Sequence, residues 1–329
     1  MKKIVVLALS SVLFVSAAAF AAPAKAKAPA KKPAAAQKAT KPAPKKAAPA
    51  PAKKTSNRRA DCIAKYPYVG AIALDAADGR VLFEDKADAP GYPASTLKLM
   101  TLLVVQKKIE SGAVNLTDQC KVSVRAYRQG GSQCYLDPKE TFPVEELLYA
   151  LMVKSANDAA VCLAEHVAGS CEEFVAMMNK EAELLGMTNT RFSSVNGLPP
   201  DLAKGEKQDV TTARDMGKLC VELCRHPDIF KYTGCAVRGF REKGSKAYIE
   251  MRTHNTFLKE GMPGCDGFKT GYTATAGYSI CVTVKRGDRR VIVVVLGSWT
   301  NNIYGSVMDG IKVRDTAARE IINKAFAAE

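Results

Sequence analysis

Between Pro23 and Arg59, Ala, Pro and Lys fill 30 of the 37 positions. A stretch of that composition has nothing apolar to bury, so any fold must be built from the residues that follow it. Its prolines and like charges predict an extended linker, able to reach about 110 Å at ~3.1 Å per residue and dispensable for the work of the folded part. The net charge of +15 suggests a nucleic-acid binder until the charges are located. Of 48 basic residues, Lys2, Lys3 and twelve between Pro23 and Arg59 precede Ala60, which leaves 34 against 33 acidic residues in the remainder. The basic character belongs to the tail, so no nucleic-acid partner is expected. The linker can at most touch anionic envelope polymers or lipid.

Residues 1–22 read as a secretory signal: Lys2-Lys3, an apolar run from Ile4 to Val15, and Ala19-Phe20-Ala21 as a small-x-small cleavage site. An uncleaved anchor is the competing reading. The expected organisation is therefore signal 1–22, linker 23–59 and a folded domain 60–329, exported to a periplasm or cell envelope. All ten cysteines follow Ala60, and in an oxidising compartment at least three disulfides are expected, with Cys120–Cys134, Cys162–Cys171 and Cys235–Cys265 as candidates. A zinc site is disfavoured, because Cys220-x3-Cys224 has no second pair at metal-site spacing.

The patterning after Tyr66 is that of a globular domain. Tyr68–Leu74 alternates, ends in the turn signal Asp75-Ala-Ala-Asp78-Gly79, and precedes Val81-Leu82-Phe83, which predicts a hairpin. Helical spacing covers Thr96–Ile109, a segment opened by Pro143 whose buried face is Leu147, Leu148, Leu151 and Met152, then Asp158–Val167, Cys171–Leu185 and Thr211–Cys224. Glu181 and Glu183 fall on the predicted solvent face of their helix. Strands are predicted over Cys265–Thr270, Tyr278–Val284 and Val291–Leu296, and a last helix over Tyr304–Phe326. Strands, then many helices, then strands and a helix imply an α/β (α+β) class. The sheet is antiparallel, flanked by helices, fed from both chain ends, and carries an inserted helical cluster.

Three short patterns can carry chemistry. In Ser95-Thr96-Leu97-Lys98, at a helix start, a spacing of three stacks an amine one turn from a hydroxyl, and the helix N-terminus favours an oxyanion. No other serine of the chain has a lysine at i+3, yet alone the pattern reads equally as an N-cap serine beside a surface lysine. Ser155-Ala156-Asn157 joins two helices and alone is better read as a cap. Lys269-Thr270-Gly271 ends a strand, where a glycine admits close approach of another backbone; its bland reading is an exposed edge lysine. Ser194-Val195-Asn196 repeats the second spacing but runs into Gly197-Leu198-Pro199-Pro200, and is set aside as a decoy without a role.

The order Ser-x-x-Lys, Ser-x-Asn, Lys-Thr-Gly is that of penicillin-binding proteins and class A β-lactamases. The flanks narrow it. Pro93-Ala94-Ser95-Thr96-Leu97-Lys98-Leu99-Met100-Thr101, Ser155-Ala156-Asn157-Asp158-Ala159-Ala160 and Asp266-Gly267-Phe268-Lys269-Thr270-Gly271-Tyr272-Thr273 resemble the low-molecular-mass D-alanyl-D-alanine carboxypeptidases, over roughly Tyr66–Phe326. The resemblance implies a penicillin-binding/β-lactamase-like fold and a serine-type enzyme that removes the terminal D-alanine of peptidoglycan stem peptides, with no cofactor or metal and with β-lactam antibiotics as inhibitors. It implies Ser95 as acylated nucleophile, Lys98 as its base and Ser155 as proton relay. Asn157, Lys269, Thr270, Gly271, Tyr272 and Thr273 would hold substrate, and the N–H groups of Ser95 and Tyr272 would form the oxyanion hole. The glutamate that drives β-lactamase deacylation has no counterpart. The family's β-rich second domain, its C-terminal anchor and its carboxylate-binding arginine after the last strand are also unmatched, with His254 as a weak substitute for the last. These departures keep a DD-endopeptidase, and less so a non-catalytic wall-binding protein, as alternatives.

Overall fold

The alternating stretch after Tyr68 forms the expected hairpin, β1 (Gly70–Asp75) and β2 (Val81–Asp85). In the computed structural model the described residues are 68–299 and 307–328. The expected signal, linker and Cys62 lie outside them. A 3-10 turn (Ala94–Leu97) leads into α1 (Lys98–Glu110). Next come β3 (Gln119–Lys121), α2 (Val124–Tyr127), β4 (Thr141–Pro143) and α3 (Val144–Tyr149). A π-helical turn (Ala150–Lys154) carries the chain to α4 (Asn157–Ala168), α5 (Cys171–Leu184) and α6 (Ala213–Leu223). The short α7 (Phe230–Thr233), the pair β5 (Val237–Phe240) and β6 (Ile249–Arg252), and α8 (Thr256–Lys259) follow. The chain closes with β7 (Cys265–Thr273), β8 (Gly277–Arg286), β9 (Arg289–Ser298) and α9 (Val307–Ala327).

Both chain ends feed one five-stranded sheet of order β2-β1-β9-β8-β7, antiparallel throughout. Its two faces follow from a side-chain period of two. Ala71, Ala73, Val282, Val293 and Val295 pack against Ala317, Ala318, Ile321 and Ile322 of α9. Ile72, Leu74, Ile292 and Val294 face the inserted helices. α1 crosses the middle of that layer and is buried without a break from Lys98 to Gln106, as a helix apolar on all sides must be. Among the described residues no helix is long and apolar enough to cross a membrane.

Two expectations need correction. The nine described cysteines are free thiols. β3 turns Cys120 inward, where its thiol meets Cys162 of α4, while Cys134 lies 3.6 Å from Met251 Sδ, so neither Cys120–Cys134 nor Cys162–Cys171 is a contact. Cys220 is hydrogen-bonded to Cys281, and Cys235 and Cys265 each turn to a nearby carbonyl, Val237 O and Gly267 O. Sequence proximity suggested these pairs, whereas packing of β3 on α4 and of α6 on β8 decides the neighbours. Glu181 is not on a solvent face, because Lys107 of α1 bonds to it and also binds Glu222 at 3.1 Å.

Candidate active site

The three patterns converge on the N-terminus of α1. Lys98 is fully buried (0%), and its Nζ lies 3.0 Å from Ser95 Oγ, 2.7 Å from Asn157 Oδ1 and 2.6 Å from the Asn196 carbonyl. Ser95 sits half-buried in the 3-10 turn just before α1. Burial first, and then the charge of Lys269, pushes the Lys98 amine well below its usual range, against the opposing pull of Asp158 and Asp209. Lys269, 2% exposed, falls to about 7, through burial and then the Arg314 charge. A lysine so placed is an amine able to accept a proton from the hydroxyl beside it.

Ser155 ends the π-helical turn in the left-handed region, φ 59° and ψ 34°, a conformation that is strained for any residue with a Cβ. Its Oγ is buried without a hydrogen-bond partner among the described residues, and buried orphan hydroxyls are uncommon enough to point to a role. Asn157 opens α4. Its N–H donates to Ser132 O (2.8 Å) and its Nδ2 to Gly130 O (2.7 Å). The buried Asp158 carboxylate accepts from the N–H groups of Cys134 and Leu136, so this acid, which sequence reasoning passed over, fixes the loop that orients Asn157.

β7 is the edge strand of the sheet and runs past the same turn. A Cβ at Gly271 would come within 2.8 Å of Pro93 O and 3.1 Å of Ser95 N, so only glycine lets the strand lie this close. Thr270 is 7% exposed. Tyr272 is half-exposed at the rim and stacks on Tyr278, centroids 4.3 Å apart. Thr273 is the outlier of the predicted set: its hydroxyl lies 3.2 Å from Thr275 Oγ1 and accepts from Ala276 N, closing the β7–β8 turn. His254 is exposed at the surface. Partial desolvation and then the charges of Lys269, Lys259, Lys154 and Lys98 lower its pKa, which disfavours the cationic form that would grip a carboxylate.

The decoy also needs correction. Ser194-Val195-Asn196 is no idle turn, since Asn196 supplies the shortest contact to Lys98, and Asn196 Nδ2 donates to Gln129 Oε1. A backbone carbonyl carries no side-chain signature, and spacing alone could not have found it. Among the described residues no cluster of three or more His, Cys, Asp or Glu could hold a metal ion.

The chain is also similar to known proteins. The chain is 36% identical over 230 residues to the D-alanyl-D-alanine carboxypeptidase DacF of Bacillus subtilis, a match spanning 70% of this chain and 57% of that protein. It is 37% identical over 238 residues to DacC of Escherichia coli, again 70% and 57%. The chain thus spans under two thirds of the length of these relatives. Among solved structures it resembles penicillin binding protein 5 of Haemophilus influenzae (TM-score 0.69, 28% identity, 80% of this chain and 71% of that one). Penicillin-binding protein D2 of Listeria monocytogenes in its ampicillin-bound form is also similar (TM-score 0.65, 27%, 79% and 97%). Residues 59–300 match the D-alanyl-D-alanine carboxypeptidase family as a whole, and the chain belongs to that family.

Proposed function

We propose that this protein is a serine-type D-alanyl-D-alanine carboxypeptidase. It removes the terminal D-alanine from peptidoglycan stem peptides through a Ser95 acyl-enzyme, and β-lactams inhibit it by acylating the same serine. The observation that carries the reading is the coordination of Lys98. Asn157 Oδ1 and Asn196 O, at 2.7 and 2.6 Å, are both acceptors. A neutral amine has two N–H donors and one lone pair, so donating to both leaves the lone pair for the Ser95 hydroxyl at 3.0 Å.

In the cycle, Ser95 Oγ gives its proton to Lys98 Nζ and attacks the penultimate D-alanyl carbonyl. The N–H groups of Ser95 and of Tyr272, one residue past Gly271, receive the oxyanion. Ser155 passes the proton to the nitrogen of the departing D-alanine, a task that suits a hydroxyl with no other partner. Water then releases the shortened peptide and restores Ser95. Asn157 holds the substrate amide, and Lys269 and Thr270 receive the terminal carboxylate. Lys269 at about 7 becomes a better cation once a carboxylate arrives, because an opposite charge raises an amine's pKa.

The same reading assigns residues 1–22 to an export signal, 23–59 to a linker and 60–329 to the catalytic domain. The test incubates the purified protein with monomeric pentapeptide and with cross-linked dimer muropeptides. Loss of one D-alanine from the pentapeptide supports the proposal, whereas conversion of dimers alone would replace it with an endopeptidase.

A further inference from the structure

We propose that Asp209 is a positioning residue for Lys98, holding in place the backbone carbonyl on which the Lys98 amine rests. The inference rests on the reading of Lys98 as the base. Asp209 is 1% exposed. Its Oδ1 accepts from Ser193 N (2.6 Å) and Ser194 N (3.0 Å), and its Oδ2 from Ser194 Oγ (2.7 Å). Ser194 Oγ in turn accepts from Gly197 N at 2.9 Å. One carboxylate therefore ties both ends of the 193–197 loop. Between the tied ends, Val195 O accepts from Thr101 Oγ1 (2.9 Å) and Asn196 O from Lys98 Nζ (2.6 Å).

This loop needs such a clamp. Its other side borders a cavity of about 600 Å³, lined also by Gln129 and Lys207, so close packing does not fix it there. On the near side it presses on the nucleophile: a Cβ at Gly197, φ 78°, would lie 2.0 Å from Ala94 O and 3.1 Å from Ser95 N. Asp209 itself is anchored, because the adjacent Val210 pairs with Arg191 through two backbone hydrogen bonds of 2.9 and 3.0 Å.

The clamp is also a charge. The groups facing Lys98 are Lys269 from β7, Asp158 from α4 and Asp209. The two acids oppose the loss of the Lys98 proton and the lysine favours it. Burial raises the pKa of Asp209, while Ser193, Ser194 and Lys98 act in the other direction. Asp209→Asn keeps an acceptor for the two main-chain donors but removes the negative charge. Lys98 should then deprotonate more readily, and the acidic limb of the acylation-rate profile should move to lower pH. Asp209→Ala releases the loop as well and should lower the plateau rate by on the order of 100-fold, the usual effect of about an ångström of misplacement.

The experiment measures second-order acylation by a labelled penicillin against pH for wild type, Asp209→Asn, Asp209→Ala and Lys98→Met, with the labelled residue identified by mass. A lower-pH limb in Asp209→Asn with label still on Ser95 supports the proposal. If Asp209→Ala does not fold, the Asp209→Asn limb decides alone. A wild-type limb and plateau in Asp209→Asn, or a fall in thermal stability with no movement of the limb, would overturn the proposal. If Lys98→Met also acylates like wild type, the reading of Lys98 as the base fails and this inference fails with it. If only the Lys98 variant is impaired, Asp209 alone has been misassigned.

Discussion

Replacing Lys98 by Met removes the amine while nearly keeping its volume in a site with 0% exposure. The proton acceptor for Ser95 is lost, and so is the donor to Asn157 Oδ1 and Asn196 O. General-base assistance is worth about 10²–10⁴-fold. Because loss of this donor also leaves the Asn157 side chain held only through its Nδ2, the upper part of that range applies, on the order of 10³–10⁴, or about 4–5 kcal/mol of transition-state stabilisation at ~1.36 kcal/mol per tenfold. Two opposing effects set the stability change. Leaving two buried acceptors unsatisfied costs about 1–3 kcal/mol each, whereas a buried amine that must stay dehydrated no longer has to be accommodated. The fold should survive. The assay follows incorporation of a labelled penicillin by intact mass, beside a thermal melt, with Ser95→Ala as the variant that should not label. A Lys98→Met protein that melts normally and acylates within threefold of wild type would refute the role given to the amine.

Three further outcomes follow from the geometry. Lys269 has a folded pKa of about 7 against an ordinary 10.5, so the folded chain binds fewer protons than the unfolded one between those values and stability should rise with pH across that window. Relative to Lys269→Met, wild type should gain about 2–3 kcal/mol between pH 7 and 9 in denaturant unfolding, and a constant difference would contradict the burial of that amine. Ser155→Gly relieves a left-handed φ and removes a partnerless hydroxyl. It should raise stability by about 1 kcal/mol while slowing peptide turnover at least 100-fold, and undiminished turnover would remove Ser155 from the cycle. Any disulfide formed on oxidation between the described cysteines should join Cys120 to Cys162 or Cys220 to Cys281, the thiols in contact. A peptide map linking Cys120 to Cys134 would contradict the placement of β3.

The parts of the fold that the sequence made legible are those governed by a single local period. The hairpin, the three-strand meander β7–β9 and the long helices α1, α4, α5 and α6 fall within a few residues of their expected bounds, because alternation and 3.6-residue spacing each report one buried face. The three-residue strands β3 and β4 are too short to show a period, and the β5–β6 pair has mostly polar or half-exposed residues. The π-helical turn before Ser155 reads as ordinary helix, since its residues keep the apolar spacing while the backbone gains a residue per turn. Disulfide pairing failed for a related reason: which thiols meet depends on how α4 and α6 pack against strands distant in sequence.

The site divides along the same line. Side chains that act by their own chemistry, Ser95, Lys98, Ser155, Asn157 and Lys269, stood at spacings that a helix or strand converts directly into proximity. What sets the state of Lys98 is of another kind. A main-chain carbonyl at Asn196, a carboxylate at Asp209 that holds it, and an acid at Asp158 that fixes the opposite loop come from segments 98, 111 and 60 residues from the lysine. None has a preferred spacing to Lys98, because none reaches it through its own secondary-structure element. The set-aside Ser194-Val195-Asn196 shows the consequence. As a motif it has no helix to orient its side chains, so its spacing alone assigns it no role. Its contribution comes from the loop itself: Asn196 presents a main-chain carbonyl to Lys98, and the Ser194 N–H and hydroxyl both tie the loop to Asp209. A general base buried in a low-dielectric pocket depends on such fixed dipoles as much as on its own amine, so the machinery of this site extends further into ordinary-looking loop sequence than its three patterns suggest.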